Sequence, residues 1–280
     1  MDQDAIDNYE KLAEKMYRKG FGTKHNEELK QHIADGTPEF SIIDTATIGE
    51  DQMDYRNNFR RDEGTGKVYY NTIDTILSEQ VNGQLVTREH TFLADHLITA
   101  TEMHRMLKHG EMVAVNKNLF NKEGKPYNTW MVLDNKGVKD EHGNYPVQTY
   151  HENYFLKKLG KPFVLKDELA NLSIPVKELE SPTYAANIEK ALYKANMPKV
   201  TLFHNGQESV GYLSVNPEKG AINILDANKQ LIETQQQSRQ QTNAQQKTAT
   251  PAQNQGEVKK KPWENRNVNW AKQQSKGKSL

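Results

Sequence analysis

Gln80-Val81-Asn82-Gly83-Gln84-Leu85-Val86-Thr87 is the stretch from which the fold class is read. Asn-Gly between two β-favouring runs signals a hairpin, because both residues accept the positive φ of a two-residue turn. Outward from that turn, Leu85 and Thr87 alternate with polar neighbours, as do Val68 and Tyr70, while Asp62-Glu63-Gly64-Thr65-Gly66 supplies a second turn. Phe40 and Ile42, then Met53, Tyr55 and Phe59, keep the same period. A period of two places one set of side chains on one face of a sheet. The pattern predicts about four antiparallel strands between residues 39 and 93.

Helices flank this region. Between Asp4 and Lys19, the residues Ile6, Tyr9, Leu12, Ala13 and Met16 recur at helical spacing, with Gly20 as terminator. A shorter helix is expected from His25 to Ala34, carrying Leu29 and Ile33 and stopped by Gly36-Thr37-Pro38. Thr99-Ala100-Thr101-Glu102 matches a capping box ahead of Met103, Met106 and Leu107. Strands are predicted again at Met112 to Val115, Thr129 to Leu133 and Val147 to Tyr150, the last two joined through Asp140-Glu141-His142-Gly143-Asn144. Two short helices between Leu165 and Ala195 precede a hairpin about Asn205-Gly206 and a strand from Ala221 to Leu225. The expectation is an α+β protein of two helix-plus-antiparallel-sheet units, residues 1–95 and 96–233.

Beyond Glu233 the composition shifts to glutamine-rich and nearly free of apolar side chains, so residues 234–280 are expected to form a disordered tail. The 280-residue chain has 37 basic and 37 acidic side chains, yet the tail holds nine basic against two acidic, leaving it at +7 and the body at −7. Within the tail, Lys259, Lys260, Lys261, Trp263, Arg266, Trp270 and Lys272 set two tryptophans among cations. Such a segment can neutralise phosphates and stack on unpaired bases, anchor a short helix in a partner's groove, or serve only as a solubilising extension.

The absence of cysteine removes disulfides, thiolate zinc sites and cysteine nucleophiles, and fits a reducing compartment. The first residues lack the basic flank and apolar run of a secretory signal, and no stretch is long and apolar enough to span a membrane, so a cytoplasmic location is expected. The nine histidines show no metal-ligand spacing, no phosphate-loop or nucleophile-elbow motif occurs, and no cofactor is implied. Tyr150-His151-Glu152-Asn153-Tyr154 is the densest cluster of hydrogen-bonding and aromatic side chains. Read as a strand, it sends neighbours to opposite faces, which favours structural or surface roles over acid–base chemistry. With Trp130 added, Tyr150, His151, Asn153 and Tyr154 form a candidate polar site.

The run from Val115 through Asn116-Lys117-Asn118-Leu119-Phe120-Asn121-Lys122-Glu123-Gly124-Lys125-Pro126-Tyr127 to Trp130 resembles a family encoded by conjugative and other mobile elements of Bacteroidales. Upstream Gly20-Phe21-Gly22, Asn26-Glu27-Glu28-Leu29 and the Ile98 to Leu107 helix, and downstream Gly143-Asn144-Tyr145, the Tyr150 to Tyr154 cluster, Val200 to Phe203 with Asn205-Gly206, and Val215-Asn216-Pro217 with Ile222-Asn223 resemble it in the same order, so the likeness covers about residues 18 to 232. One departure is Phe155, where family members usually carry glycine. The resemblance implies a context near DNA-processing genes, topoisomerases among them, and no catalytic residues. The expected function is a non-enzymatic accessory protein of a mobile element that binds nucleic acid or a DNA-processing partner. The alternative is a protein-interaction module, such as an inhibitor of a host defence or a partner of a conjugation component.

Overall fold

A computed structural model describes residues 1–204 and 206–232. The described chain is α+β. Helices α1 (Gln3–Met16) and α2 (Asn26–Ala34) precede a meander of β1 (Glu39–Ile48), β2 (Asp51–Arg61), β3 (Val68–Val81) and β4 (Gln84–Leu93), each strand antiparallel to the next. The Asn82-Gly83 turn forms as the sequence predicts, with φ of 53° and 78°. The side chain of Asp2 caps α1 by accepting from the Ala5 amide, and a π-turn, Tyr17–Phe21, ends it earlier than the periodicity suggests.

One face of the meander is core and the other meets water. Ile42, Met53, Tyr55, Ile73, Leu77 and Phe92 are buried beneath α1, α2 and a third helix, α3 (Ala100–His109). On the opposite face Ser41, Asn58, Asp74 and Thr91 form a hydrogen-bonded row across all four strands. Two features depart from simple alternation. Phe59 pairs with Tyr70 while Asn58 pairs with Thr72, so Asn71 is an extra residue that shifts the buried positions of β3 from Val68 and Tyr70 to Ile73, Thr75 and Leu77. The alternation that marks Leu85 and Thr87 runs along the outer face of β4: Leu85 is 65% exposed, and the inner face is reached at His90 and Phe92. Period two gives two faces but does not say which one is covered.

Several polar groups that enter this core have partners, although His90 Nδ1 is buried without a hydrogen bond. Past the end of β4, the Asn8 side chain substitutes for a strand, donating to the Val68 carbonyl at 3.0 Å and accepting from the Val68 amide at 2.7 Å. The rings of His32, Phe40, Phe59 and Tyr70 stack in a column from α2 across β1 to β3, with centroids 4.3, 4.9 and 4.6 Å apart. The Thr99–Glu102 capping box forms, and Glu102 also accepts from Lys117 Nζ at 2.6 Å, tying α3 to the next sheet.

That sheet comprises β5 (Val115–Phe120), β6 (Pro126–Leu133) and β7 (Val147–His151) in sequential antiparallel order. It separates two cores. Val115, Leu119, Met131 and Leu133 face the meander's core, whereas Trp130, Val132 and Tyr150 face a second core. The second core is completed by α4 (Glu152–Leu159), α5 (Leu165–Ala170), α6 (Pro182–Leu192) and a sheet of β8 (Lys199–His204), β9 (Gln207–Asn216) and β10 (Ala221–Leu225). Helix α3, which opens the 96–233 half of the sequence, contributes Met103, Met106 and Leu107 to the first core.

Two local expectations are corrected here. The strand expected at Met112 to Val115 begins at Val115, after a 3-10 turn over Gly110–Met112, and runs to Phe120; Asn116, Lys117 and Asn118 hide its length because they break the apolar alternation. The Tyr150 to Tyr154 cluster is not one strand: β7 ends at His151 and α4 starts at Glu152. Phe155 is therefore a buried helical anchor of the second core. Among the described residues no helix is long and apolar enough to cross a membrane.

Candidate nucleic-acid or partner groove

The β5–β6 hairpin runs out past the core. Along β6, Pro126, Tyr127 and Asn128 are exposed and Thr129 through Leu133 are buried. The register places Asn116 opposite Trp130, Asn118 opposite Asn128 and Phe120 opposite Pro126, so these six share one face. On it Asn128 donates to both Asn116 Oδ1 and Asn118 Oδ1, at 2.7 and 2.8 Å, while Asn116 donates back to Asn128 Oδ1 at 2.8 Å. The hairpin turn is held from within, since Asn121 Oδ1 accepts from the amides of Glu123 and Lys125, each at 2.9 Å. Lys122 and Lys125 thus leave a fixed turn.

Facing the hairpin are the end of β7, the start of α4 and the Pro162-Phe163 segment. Together they enclose a groove of about 930 Å³. Its floor is aromatic. Trp130, only 3% exposed, stacks on Tyr193 at 5.4 Å and meets Phe163 at 5.7 Å, and Phe163 in turn meets Phe155 at 5.2 Å. The rim carries Phe120 at 68% and Tyr127 at 42% exposure, with Lys122, Lys125, Asn128, His151, Glu152 and Asn153 around them.

Of the candidate polar site, the structure brings Trp130, His151 and Asn153 to this groove and turns the two tyrosines inward. The Tyr150 hydroxyl donates to Gln148, and its ring meets Tyr154 edge-on at 4.8 Å. Burial, with Glu218 adding to it, pushes the Tyr150 hydroxyl up to about 12. Tyr154 donates to the Glu218 carbonyl at 2.9 Å and lies under Lys158, whose ammonium is held above its ordinary range by the bond to that tyrosine. The strand reading had set His151 and Glu152 on opposite faces; the switch to helix lets both line the groove. Lys259, Lys260, Lys261, Trp263, Arg266, Trp270 and Lys272 lie outside the described residues.

Sequence reasoning assigned no role to Phe120, Lys122, Lys125, Tyr127, Asn128 or Phe163. The available signal was Asn121-Lys122-Glu123-Gly124 between two short β-favouring runs, a turn with polar rather than apolar flanks.

Two polar clusters elsewhere are structural. Beside α3, Asp51 lies 2.7 Å from His104 Nε2 and accepts from Lys108 at 2.5 Å; Lys108 also reaches Glu79, which pairs with Arg88. Burial raises the Asp51 carboxyl, but the bonds from Lys108 and His104 outweigh it and hold the group below the usual carboxylate range. Lys19 is buried, donates to the Ile98 carbonyl at 3.1 Å and is drawn down to about 7 by burial and then by Lys15 and Lys117. It does not line the groove. Among the described residues no three His, Asp or Glu side chains converge as metal ligands.

A scan against protein-family models, a search of curated proteins and a search of solved structures each return no match.

Proposed function

We propose that this chain is a non-enzymatic accessory protein of a mobile genetic element that binds nucleic acid or a DNA-processing protein, a topoisomerase among the candidates. The observation that supports a binding role is the groove: its walls are made of groups that stack, hydrogen-bond and carry charge, on a hairpin fixed by its own amides. The two stretches that line most of it, Val115–Trp130 and Tyr150–Tyr154, are also those on which the family resemblance rests. The basic tail adds a long-range electrostatic contact to the same role.

The body's charge of −7 favours a second reading, a protein-interaction module without a nucleic-acid role, for which a basic partner is the natural match. Fluorescence anisotropy separates the two. Single-stranded and duplex DNA are titrated with the full chain and with a chain ending at Glu233, at two salt concentrations. Binding that is salt-sensitive and weakened without residues 234–280 supports the first reading. No binding by either chain moves the assignment to a protein partner, and loss of the tail then leaves function intact.

A further inference from the structure

The outward edges of β1, β5, β8 and β10 each meet a plug. On β1 the Thr45 amide donates to Asp44 Oδ1 at 2.6 Å, and on β5 the Asn116 amide donates to the Tyr193 carbonyl at 2.9 Å. On β8 the Phe203 amide donates to the Pro175 carbonyl and the Thr201 amide to the Glu178 carboxylate, each at 2.9 Å. On β10 the Ile224 carbonyl accepts from the Ile232 amide at 2.9 Å. Strand β4 is different. Its register with β3 is unbroken from Leu93 to Gln84, and the His90 carbonyl faces β3, where Thr75 Oγ1 donates to it at 2.7 Å. Alternate residues therefore turn their main chain outward: Thr91, whose amide donates to Asn144 Oδ1 at 2.7 Å, and then Glu89, Thr87 and Leu85. Among the described residues nothing bonds to the outward amides and carbonyls of those last three. An unpaired row of this kind is matched by another extended strand.

We infer that the open edge of β4 pairs with β4 of a second copy of this chain, antiparallel about a two-fold axis at Val86, joining two four-stranded meanders into one sheet. The contact is independent of the partner proposed above.

A two-fold axis pairs the edge with itself, so the edge's own residues decide the register. Centred on Arg88, the axis sets guanidinium against guanidinium and drives Leu85 of the copy onto the Thr91 amide, which Asn144 already fills. Centred on Thr87, it places Leu85 opposite Glu89 and brings the copy's Asn82-Gly83 turn onto Thr91. Centred on Leu85, it shortens the overlap and leaves Val86 opposite Gln84. Centred on Val86, it stops the turn beside Glu89 and His90, short of the plug. In that register Leu85 and Thr87 exchange main-chain bonds with the copy's Thr87 and Leu85, about four in all. Val86 meets its own copy as a close pair, Leu85 comes within diagonal reach of its own copy, and Arg88 lies opposite Gln84. Leu85 is 65% exposed and Val86 half-buried in the single chain, so uncovered apolar groups meet at the axis and no like charges do. A contact of this length falls below the roughly 1,200 Å² of stable interfaces, which makes the dimer weak and reversible, forming at about 0.1 mM.

Sedimentation velocity of the full chain from about 10 µM to about 1 mM is expected to show monomer giving way to dimer. Thr87→Pro removes an outward amide and none from the ladder with β3, a change that edge strands tolerate. Leu85→Lys places two ammonium groups at the axis. Each variant is expected to weaken the dimer about tenfold or more with the native circular dichroism spectrum retained. In hydrogen exchange the Leu85 and Thr87 amides should gain protection as concentration rises, whereas the Val86 and Arg88 amides, turned toward β3, stay protected throughout. Should Thr87→Pro unfold the sheet, Leu85→Lys and the exchange pattern decide. A chain that stays monomeric over this range overturns the inference. So does a dimer that Leu85→Lys leaves unchanged, or one in which the Leu85 and Thr87 amides exchange as freely as in the monomer.

Discussion

The meander and the central sheet are both antiparallel, yet they handle their faces differently. In β1–β4 one face is core along its length and the other is a hydrated lattice of Ser41, Asn58, Asp74 and Thr91. In β5–β7 both faces are core where the strands cross the body; where the β5–β6 hairpin runs on, the face of Asn118, Asn128 and Phe120 is uncovered, while Leu119 on the other face still reaches the first core. A strand buried on two sides has no free surface on which to place a binding group, so the candidate site lies where that double burial stops. Trp130 marks the boundary: inward of it β6 joins two cores, and outward of it the same face becomes the groove.

If β6 couples the two cores, damage to either should be felt by both. Trp130→Ala is expected to cost about 3–5 kcal/mol and Leu77→Ala, in the meander, about 2–5 kcal/mol. Each should lower one shared urea-unfolding transition followed by circular dichroism. Two separable transitions, with each variant moving only its own, would break the coupling and make the cores independent domains.

Acid should strike the first core preferentially. His90 and His109 are held down to about 4, chiefly by burial; Asp140 opposes the shift at His90, while Lys229 and Lys108 add to it at His109. The unfolded chain takes up these protons near pH 6.5 and the folded chain does not, so stability present above pH 6.5 is lost as pH falls toward 4. Stability at pH 5 should be lower than at pH 7 by on the order of 1–3 kcal/mol, and His90→Asn should flatten the profile. An unchanged urea midpoint between those pH values would refute this account.

Removing the side chain that substitutes for a strand tests the meander's edge. Asn8→Ala leaves the Val68 amide and carbonyl without their partner and is expected to cost about 1–3 kcal/mol. Hydrogen exchange at Val68 should accelerate beyond the global change. The smallest effect belongs to the outer hairpin, where Phe120→Ala should alter stability by no more than about 0.5 kcal/mol. A larger loss would mean that the ring supports the fold instead of standing ready for a ligand.

Much of the fold was legible because local signals agreed with tertiary demands. Asn82-Gly83, the Thr99–Glu102 box and the period-two runs of β1 and β2 each specify a local geometry that packing then keeps. The hairpin at Val115–Leu133 was only half legible. One face of its outer part has no core to meet, so Asn116, Asn118 and Asn128 on that face carry no apolar period. The entry into α4 was missed for a related reason: of its eight residues only Phe155 is buried, too few for a helical stripe to show. The groove residues come from three separated stretches, and spacing along the chain cannot report that Phe163 and Trp130 are 5.7 Å apart.

By itself, then, the sequence determined the α+β class, the meander, the caps and turns, and the opposite charges of body and tail, all of which depend on residue type and short-range spacing. Tertiary structure alone decided which face of β4 is covered, that the central sheet serves two cores, and that Phe120, Trp130, His151 and Asn153 border one groove. Those outcomes depend on which surfaces meet, and burial is a property of the neighbour as much as of the residue.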